Sequence, residues 1–252
     1  FDDDGDMDLF VLNQGSASRF YDNLRQGYFA DINATVGLNF MGDASTVVSG
    51  DYNNDGYFDL FIADLAGEQH AIFQNKGDGT FIKDVQSLSA INGLIGFVVI
   101  HAEFADLNND GYLDLLVAGS PTNTDKYHSG LQLLHNDGQG KYTDASSSLP
   151  SDLELIGQVK TADMDNDGDQ DIIIINDRGN VRIMRNDGGN LNNYLKVRLV
   201  GLRTGSSKNN YFGLGSKVEV KSDGLYQVRS VNKPVSHFGL GNKAGADVVR
   251  VL

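Results

Sequence analysis

Four acidic loops recur along the chain at nearly regular intervals, and they constrain the possible fold more than any other feature. The complete copies have the form D-x-[DN]-x-D-G-x-x-D and run directly into an apolar segment. Their last aspartates are Asp8, Asp59, Asp114 and Asp171, which lie 51, 55 and 57 residues apart. The first copy, DDDGDMDLF from Asp2, lacks the first position of the pattern. A period of this length indicates a repeat architecture.

The segments around each loop repeat as well, and they predict short strands. DLFVLN, DLFIAD, DLLVAG and DIIIIN follow the loops, and a second apolar segment then ends in Asn. In the first three units a turn and an aromatic residue come next, and an extended segment precedes each of the last three loops. Four antiparallel strands per unit, with the loop between the first and second, are typical of a propeller blade. The sequence therefore predicts an all-β fold with β-propeller blades in residues 1–189.

The spacing of polar residues within each loop predicts a metal site. Side chains at positions 1, 3, 5 and 9 and a backbone carbonyl at position 7 converge if the chain turns tightly at the glycine in position 6. All of these ligands are oxygens, and neither His nor Cys is among them. Such ligands suit Ca²⁺ better than Zn²⁺, copper or the strictly octahedral Mg²⁺. A solvated acidic turn is the alternative for any single loop, but four copies in register favour cations that clamp the first hairpin of each blade.

These units resemble FG-GAP or VCBS repeats, the Ca²⁺-binding repeats in the β-propellers of integrin α subunits and of many secreted bacterial proteins. The resemblance covers residues 2 to about 189, and it implies about four Ca²⁺ sites, the first of them incomplete. Because such propellers usually have about seven blades, it also implies that the four blades are a fragment of a larger propeller. The side-chain ligands that it implies are Asp2, Asp4 and Asp8; Asp51, Asn53, Asp55 and Asp59; Asp106, Asn108, Asp110 and Asp114; and Asp163, Asp165, Asp167 and Asp171. The carbonyl ligands would come from Asp6, Tyr57, Tyr112 and Asp169.

The charge of the chain changes sign after Gly189. Residues 1–189 have a balance of −21, whereas residues 190–252 have a balance of +7, which predicts a second domain. Its alternating segments between Gly and Asn turns predict a small β domain. Three segments, 193–201, FGLGSKVEV from Phe212 and HFGLG from His237, resemble the ASPIC/UnbV domain that follows such propellers in the cartilage acidic protein family.

Basic residues alternate along the predicted strands of this second domain. They include Lys196, Arg198, Lys217 and Lys221. One interpretation is a solvated sheet surface. The other is docking onto an acidic surface, either the propeller itself or an anionic glycan, because opposite charges attract at long range.

Composition and motifs exclude several classes of function. The net charge of −14 makes nucleic acid an improbable partner, and no apolar run approaches the roughly 18 residues needed to span a bilayer. The five histidines lack metalloprotease spacing, and neither a G-x-S-x-G elbow nor a P-loop is present. His237 is interpreted as structural. We therefore expect no catalysis, although a polysaccharide-processing enzyme is kept as an alternative.

The predicted function is an extracellular, cell-surface or periplasmic Ca²⁺-binding module for adhesion, matrix or assembly. The partner is expected to be a protein or a glycan, and a lectin-like propeller is the second alternative. Millimolar external Ca²⁺ matches the weak affinity of extracellular sites. The third unit carries a longer connection, Gly119 to Gly130, and its residues Lys126, Tyr127 and His128 are a candidate partner contact because insertions in repeats often map to a binding face.

Overall fold

The computed structural model describes residues 1–2, 4–13, 15–40, 42–122, 129–153, 155–201 and 210–252. Strands dominate the described residues, and the helical elements are one short helix, α1 (Leu88–Gly93), and 3-10 turns at Ser146–Ser148 and Gly189–Leu191. None of the described helices has the length and apolar character needed to cross a membrane. The predicted contact at Lys126, Tyr127 and His128 lies outside the described residues.

Four antiparallel sheets follow one another along the chain, and one strand of each sheet directly follows an acidic loop. Blade 1 consists of β1 (Leu9–Val11), β2 (Arg19–Asn23) and β3 (Phe29–Asp31); blade 2 of β4 (Ala44–Gly50), β5 (Asp59–Asp64), β6 (Ala71–Asn75) and β7 (Phe81–Lys83); blade 3 of β8 (Phe97–Ala105), β9 (Asp114–Pro121), β10 (Leu131–Asn136) and β11 (Tyr142–Asp144); and blade 4 of β12 (Ile156–Ala162), β13 (Asp171–Asn176) and β14 (Val181–Met184). Within each blade the strands pair in sequence order. The all-β prediction is confirmed, and blades 2 and 3 have the predicted four strands.

Strands β5 and β9, which follow the second and third acidic loops, are buried on both faces, which explains their continuous apolar sequences. In β5, Leu60 and Ile62 pack with Phe20 of blade 1. The intervening Phe61 packs on the opposite face, in a core that it shares with Leu115 of blade 3. Strand β9 repeats this arrangement between blades 2 and 4. Neighbouring blades therefore share their hydrophobic cores, and β8 packs between the first strands of the blades on either side.

One buried asparagine joins blade 3 to blade 2. The N–H of Asn136 donates to Oδ1 of Asp114 at 2.9 Å. Its Nδ2 donates to the carbonyls of Leu113 at 3.2 Å and of Tyr52 in blade 2 at 2.8 Å. Asn136 is fully buried, so these bonds are made away from water. This residue therefore ties its own acidic loop to the loop of the preceding blade.

The same connection recurs elsewhere. Asn75 donates to the carbonyl of Phe1 at 2.8 Å, and Asn186 donates to the carbonyl of Leu107 at 2.7 Å. Asn23 of blade 1 makes the equivalent bonds within its own blade, to Asp8 and Met7. The asparagine that ends the second apolar segment of each unit thus has a structural explanation that the sequence did not supply.

The strands after residue 189 form two further small sheets. Strand β15 (Asn193–Val197) pairs with β18 (Ser236–Gly241), and β16 (Lys217–Ser222) lies between β17 (Leu225–Ser230) and β19 (Val248–Val251). Val218, Val220, Phe238 and Leu240 are buried in a core of their own. We refer to residues 190–252 as the C-terminal unit. Blade 4 has three described strands, because the next strand in the chain, β15, pairs with β18 and not with β14. The domain boundary at residue 189 stays a prediction.

Candidate metal centre

The aspartate at position 1 holds each complete loop in its turn. We number the loops 1 (residues 2–8), 2 (51–59), 3 (106–114) and 4 (163–171). In loop 2, Oδ1 of Asp51 accepts the N–H of Asp55 at 3.0 Å, and Oδ2 accepts the N–H of Gly56 at 3.1 Å. Loop 3 repeats both bonds from Asp106. An acceptor side chain at the start of the loop is what five successive turn residues require, because their N–H groups have no strand partner.

The aspartate at position 9 closes the loop and joins it to the sheet. Oδ2 of Asp59 accepts the N–H of Tyr52 at 3.3 Å, and Oδ1 accepts the N–H of Asn75 at 2.8 Å. Asp114 and Asp171 make the same pair of bonds in their own loops. Position 9 is buried in loops 2, 3 and 4, whereas positions 3 and 5 are half-buried or exposed. Each loop therefore has a buried carboxylate floor and a more open rim.

Loop 4 brings three of its predicted ligands together. Asp163, Asp165 and Asp171 each place one carboxylate oxygen within 4.8 Å of the others. Oδ1 of Asp163 is buried without a hydrogen-bond partner among the described residues. Asp167 is not a member of this group, and its Oδ2 accepts a hydrogen bond from Asn190 at 3.0 Å. Three carboxylates this close, one with an unused oxygen, fit a hard divalent cation.

Loops 2 and 3 replace one of these carboxylates with an amide. Nδ2 of Asn53 donates to Oδ2 of Asp55 at 2.9 Å, and Asn108 donates to Asp110 at the same distance. The N–H of Tyr57 donates to the other oxygen of Asp55 at 3.0 Å. Positions 3 and 5 therefore lie side by side. Tyr112 and Asp169 occupy the same place in loops 3 and 4, next to Asp110 and Asp167.

Loop 1 is arranged differently because a basic side chain from β2's following turn reaches it. Nε of Arg25 donates to Oδ2 of Asp6 at 3.2 Å, and Nη2 donates to the carbonyl of Asp4 at 2.7 Å. Asp2 and Asp4 are exposed, and Asp8 is half-buried. The guanidinium of Arg25 thus supplies positive charge beside loop 1, the least complete of the four loops.

Buried carboxylates lie close together in loops 2 and 3, and their raised pKa values show that burial disfavours their charged forms. Burial raises the pKa of Asp59 to about 9, with the charges of Asp55 and Asp51 adding to the effect. Burial likewise raises the pKa of Asp51 to about 7, partly opposed by Arg229. In loop 3, burial and the charge of Asp110 raise the pKa of Asp106 to about 7. A divalent cation among these oxygens would reverse such shifts, so the donor set fits a bound metal.

The C-terminal unit covers the acidic loops. Lys196 forms an ion pair with Asp163 in loop 4. Nζ of Lys217 donates to the carbonyl of Gly56 in loop 2 at 3.0 Å. The N–H of Gly239 donates to Oδ2 of Asp106 in loop 3 at 3.1 Å. Two of the four basic residues singled out in the sequence therefore contact the propeller.

The other two basic residues do not contact the loops in the described structure. The guanidinium of Arg198 lies 5.9 Å from the ring centroid of Phe212, within its own unit. Lys221 is exposed. The alternating pattern thus combines an interface with a solvated surface, so each of the two interpretations holds for part of the set.

Asn109, at position 4 of loop 3, is a functional residue that the sequence argument missed. Its φ of +57° is left-handed, and it is fully buried. Its Nδ2 donates to the carbonyls of Gly168 at 2.8 Å and Gly189 at 3.0 Å, and its Oδ1 lies 2.6 Å from Nε2 of His237. His237 also stacks on Tyr194, with ring centroids 5.6 Å apart. The sequence did carry a sign of this role, because all three complete loops have an asparagine at position 4.

Glycine at position 6 permits the tight turn of the loop, and in loop 4 it also permits the close approach of the C-terminal unit. Gly168 has a φ of +105°, and a Cβ there would overlap the ring of Tyr194. Gly5, at the same position of loop 1, has a φ of +87° and no heavy atom within 4 Å of an added Cβ. Gly5→Ala should lower the free energy of unfolding by about 1 kcal/mol, from backbone strain alone. Gly168→Ala should lower it by about 2 to 4 kcal/mol, because the ring must also move. Denaturant unfolding of both variants measures the difference, and equal losses would contradict the packing of Tyr194 on loop 4.

Comparison with known proteins agrees with the geometry of the loops. FG-GAP-like repeats match the chain three times, over residues 1–62, 51–117 and 106–174. The chain belongs to the FG-GAP-like repeat family. Each match after the first begins at position 1 of a complete loop, so the FG-GAP repeat and the blade share one period.

A more distant similarity is to a much longer protein. Cartilage acidic protein 1 of Xenopus tropicalis is 28% identical to this FG-GAP chain over 159 residues. That alignment covers 61% of this chain and 23% of the relative, so the chain spans less than a quarter of that protein's length. The resemblance of the C-terminal unit to an ASPIC/UnbV domain stays a prediction.

Proposed function

We propose that the chain is a calcium-stabilised, non-catalytic extracellular module that binds protein or glycan partners in adhesion, matrix or assembly. The observation that carries the proposal is the loop 4 cluster, where Asp163, Asp165 and Asp171 converge and one buried oxygen of Asp163 is unused. FG-GAP-like repeats and the similarity to a cartilage acidic protein support an extracellular setting.

In this proposal the predicted ligands have distinct tasks. Positions 1 and 9 form the floor of each complete loop, and positions 3 and 5 form its rim. Bound Ca²⁺ would supply positive charge that offsets the repulsion among these carboxylates. The same side chains also accept hydrogen bonds from backbone N–H groups of the turn. This structural role supports the proposal that they are not catalytic. Residues 190–252 are proposed to be an ASPIC/UnbV-like unit that seals the loop surface.

Calorimetric titration of the chain with Ca²⁺ tests the proposal. We expect saturable heats with a Kd on the order of 0.1 to 1 mM, typical of extracellular calcium sites, and clearly weaker binding of Mg²⁺. Asp165→Ala should remove the loop 4 contribution, because Asp165 is a rim ligand that, among the described residues, accepts one backbone hydrogen bond, from the N–H of Asp167. The matched control is Asp177→Ala, which removes the same charge from an exposed turn of the same blade. No saturable Ca²⁺ binding at millimolar concentration would refute the proposal.

A further inference from the structure

A cavity of about 580 Å³ lies where the first strands of blades 2, 3 and 4 face the C-terminal unit. Strands β4, β8 and β12 form its floor, and β17 with the following turn to β18 forms its roof. A volume of this size is within the range of small-molecule sites in proteins. We call it the channel cavity. Asp106, at position 1 of loop 3, also lines the cavity, which therefore borders that proposed metal site.

Two cations line the channel cavity without a carboxylate partner. Nη1 and Nη2 of Arg229 donate to the carbonyl of Val228 at 2.9 Å and to Oε1 of Gln227 at 3.1 Å. Nζ of Lys233 lies 3.4 Å from the carbonyl of Thr161. Within the described part of the chain, neither cation has a carboxylate oxygen within 4.0 Å. Arg229 is half-buried and Lys233 is exposed. Because partial removal of a cation from water without a counter-charge is costly, an anion in the cavity would stabilise Arg229, and Lys233 adds a second positive charge to the lining.

Two other basic residues show what such a partner looks like. Lys160, which also lines the cavity, pairs with Glu103 at 3.3 Å. Arg250 pairs with Glu219. Desolvation lowers the pKa of Lys233; the charge of Glu103 opposes this effect, and the charges of Lys160 and Arg229 add to it. Three basic residues line the cavity against two acidic ones, Glu103 and Asp106, and this excess of positive charge favours a negatively charged occupant.

The acidic loops do not remove this excess of positive charge once they hold calcium. The carboxylates that act on Arg229 are Asp106 and Asp51, at position 1 of loops 3 and 2. Under the proposed function, those two carboxylates neutralise Ca²⁺. Arg229 then has less negative charge around it, and its need for another anion increases.

The remaining polar groups of the cavity suit hydroxyls. Nδ1 of His237 is buried and has no hydrogen-bond partner among the described residues, and the contact of Oε2 of Glu103 is its ion pair with Lys160 at 3.3 Å. Oε1 of Glu103 accepts from Thr161 at 2.9 Å, which fixes the carboxylate in place. The rings of Phe58 and Phe104 add apolar surface to the lining. Hydroxyl groups can donate to Glu103 and pair with His237, whereas a bare inorganic anion cannot donate to a carboxylate.

We propose that the channel cavity binds a hydroxylated carboxylate of sugar size, with its carboxylate at Arg229 and Lys233 and its hydroxyls at Glu103 and His237. A uronic acid has this chemistry. Glu103 disfavours an occupant that carries several negative charges, because like charges repel. The groups proposed to bind the carboxylate and the hydroxyls lie outside the metal loops, but Asp106 of loop 3 borders the cavity, and occupancy is expected to rise when the loops hold Ca²⁺.

Ligand-observed NMR and calorimetry with glucuronate test this proposal, in Ca²⁺ and again in EDTA. We expect glucuronate to bind with a Kd of about 1 mM or tighter, and glucose and inorganic phosphate to bind at least about tenfold more weakly. Lys233→Gln should weaken glucuronate binding about tenfold or more, since it removes a charge-assisted hydrogen bond. Lys221→Gln, on the exposed surface of the same unit, should leave binding unchanged. Melting curves of both variants confirm that they fold.

Three outcomes would overturn the proposal. One is the absence of glucuronate binding in both Ca²⁺ and EDTA, and another is equal binding by the Lys233→Gln variant. The third is phosphate that binds as tightly as glucuronate, which would show an anion site without sugar recognition. Failure of the calcium proposal is separate, because it appears in the Ca²⁺ titration and leaves glucuronate binding in EDTA intact.

Discussion

Chelation of calcium should lower the melting temperature of this chain by roughly 10 °C. Each site with a Kd on the order of 0.1 to 1 mM contributes about 0.6 to 1.8 kcal/mol at ~2 mM Ca²⁺, because a ligand that binds only the native state stabilises it. Three complete loops together give on the order of 4 kcal/mol, and about 1 kcal/mol shifts the midpoint of a chain of this size by roughly 2 to 4 °C. Removal of Ca²⁺ also leaves buried carboxylates such as Asp51 and Asp59 facing each other without a cation.

Differential scanning calorimetry in Ca²⁺ and in EDTA measures this effect. Return of Ca²⁺ in excess over chelator should restore the midpoint, and Mg²⁺ at the same concentration should restore less of it. Asp165→Ala should reduce the gain from Ca²⁺, whereas Asp177→Ala should keep the full gain. A midpoint that is the same in EDTA and in Ca²⁺ would show that the loops are acidic turns held by their own hydrogen bonds.

Asn136→Ala should be among the most destabilising single substitutions in the chain. It leaves the carbonyl of Tyr52 without this donor and the N–H of Gly138 without its acceptor, both near a fully buried side chain, while the carbonyl of Leu113 keeps its hydrogen bond from the Tyr142 hydroxyl. Buried polar groups without a partner cost about 1 to 3 kcal/mol each where water cannot reach them, so we expect a loss of about 3 kcal/mol in the free energy of unfolding. The melting temperature should fall by roughly 10 °C.

The chain supplies a matched control for this substitution. Asn23 occupies the same place in blade 1, but it is half-buried, and its Nδ2 donates to Met7 in its own blade. Asn23→Ala should cost about 1 kcal/mol or less, since water can replace the lost partner. If the two alanine variants melt at the same temperature, the bond between Asn136 and Tyr52 does not contribute to blade packing.

The repeat architecture could be predicted from the sequence because the loops carry an unusual local pattern. Spacing of Asp, Asn and Gly depends only on neighbours in the chain, and so do the apolar runs of β5 and β9. The strands of blades 2 and 3 formed where these patterns placed them. Local patterns of this kind survive in the fold because both the turn and the strand satisfy their own hydrogen bonds.

The contacts between distant segments could not be predicted from these patterns. Asn109 and His237 are 128 positions apart, and Lys196 reaches a loop 33 positions earlier. Such contacts depend on how the C-terminal unit sits on the loops, which no spacing rule encodes. The Asn at position 4 and the Asn after the second strand were visible repeats, but their roles became clear only from their partners in neighbouring blades.

The shared cores between blades have a consequence for how proteins of this design can change. Leu60 and Phe61 are adjacent in sequence, yet they belong to two different cores, one with each neighbouring blade. A blade therefore offers the same two complementary faces at every position in the series. Gain or loss of a whole unit preserves every interface, whereas a cut inside a unit opens two cores at once. We therefore expect proteins of this design to differ in length by whole repeats, each counted from one acidic loop to the next.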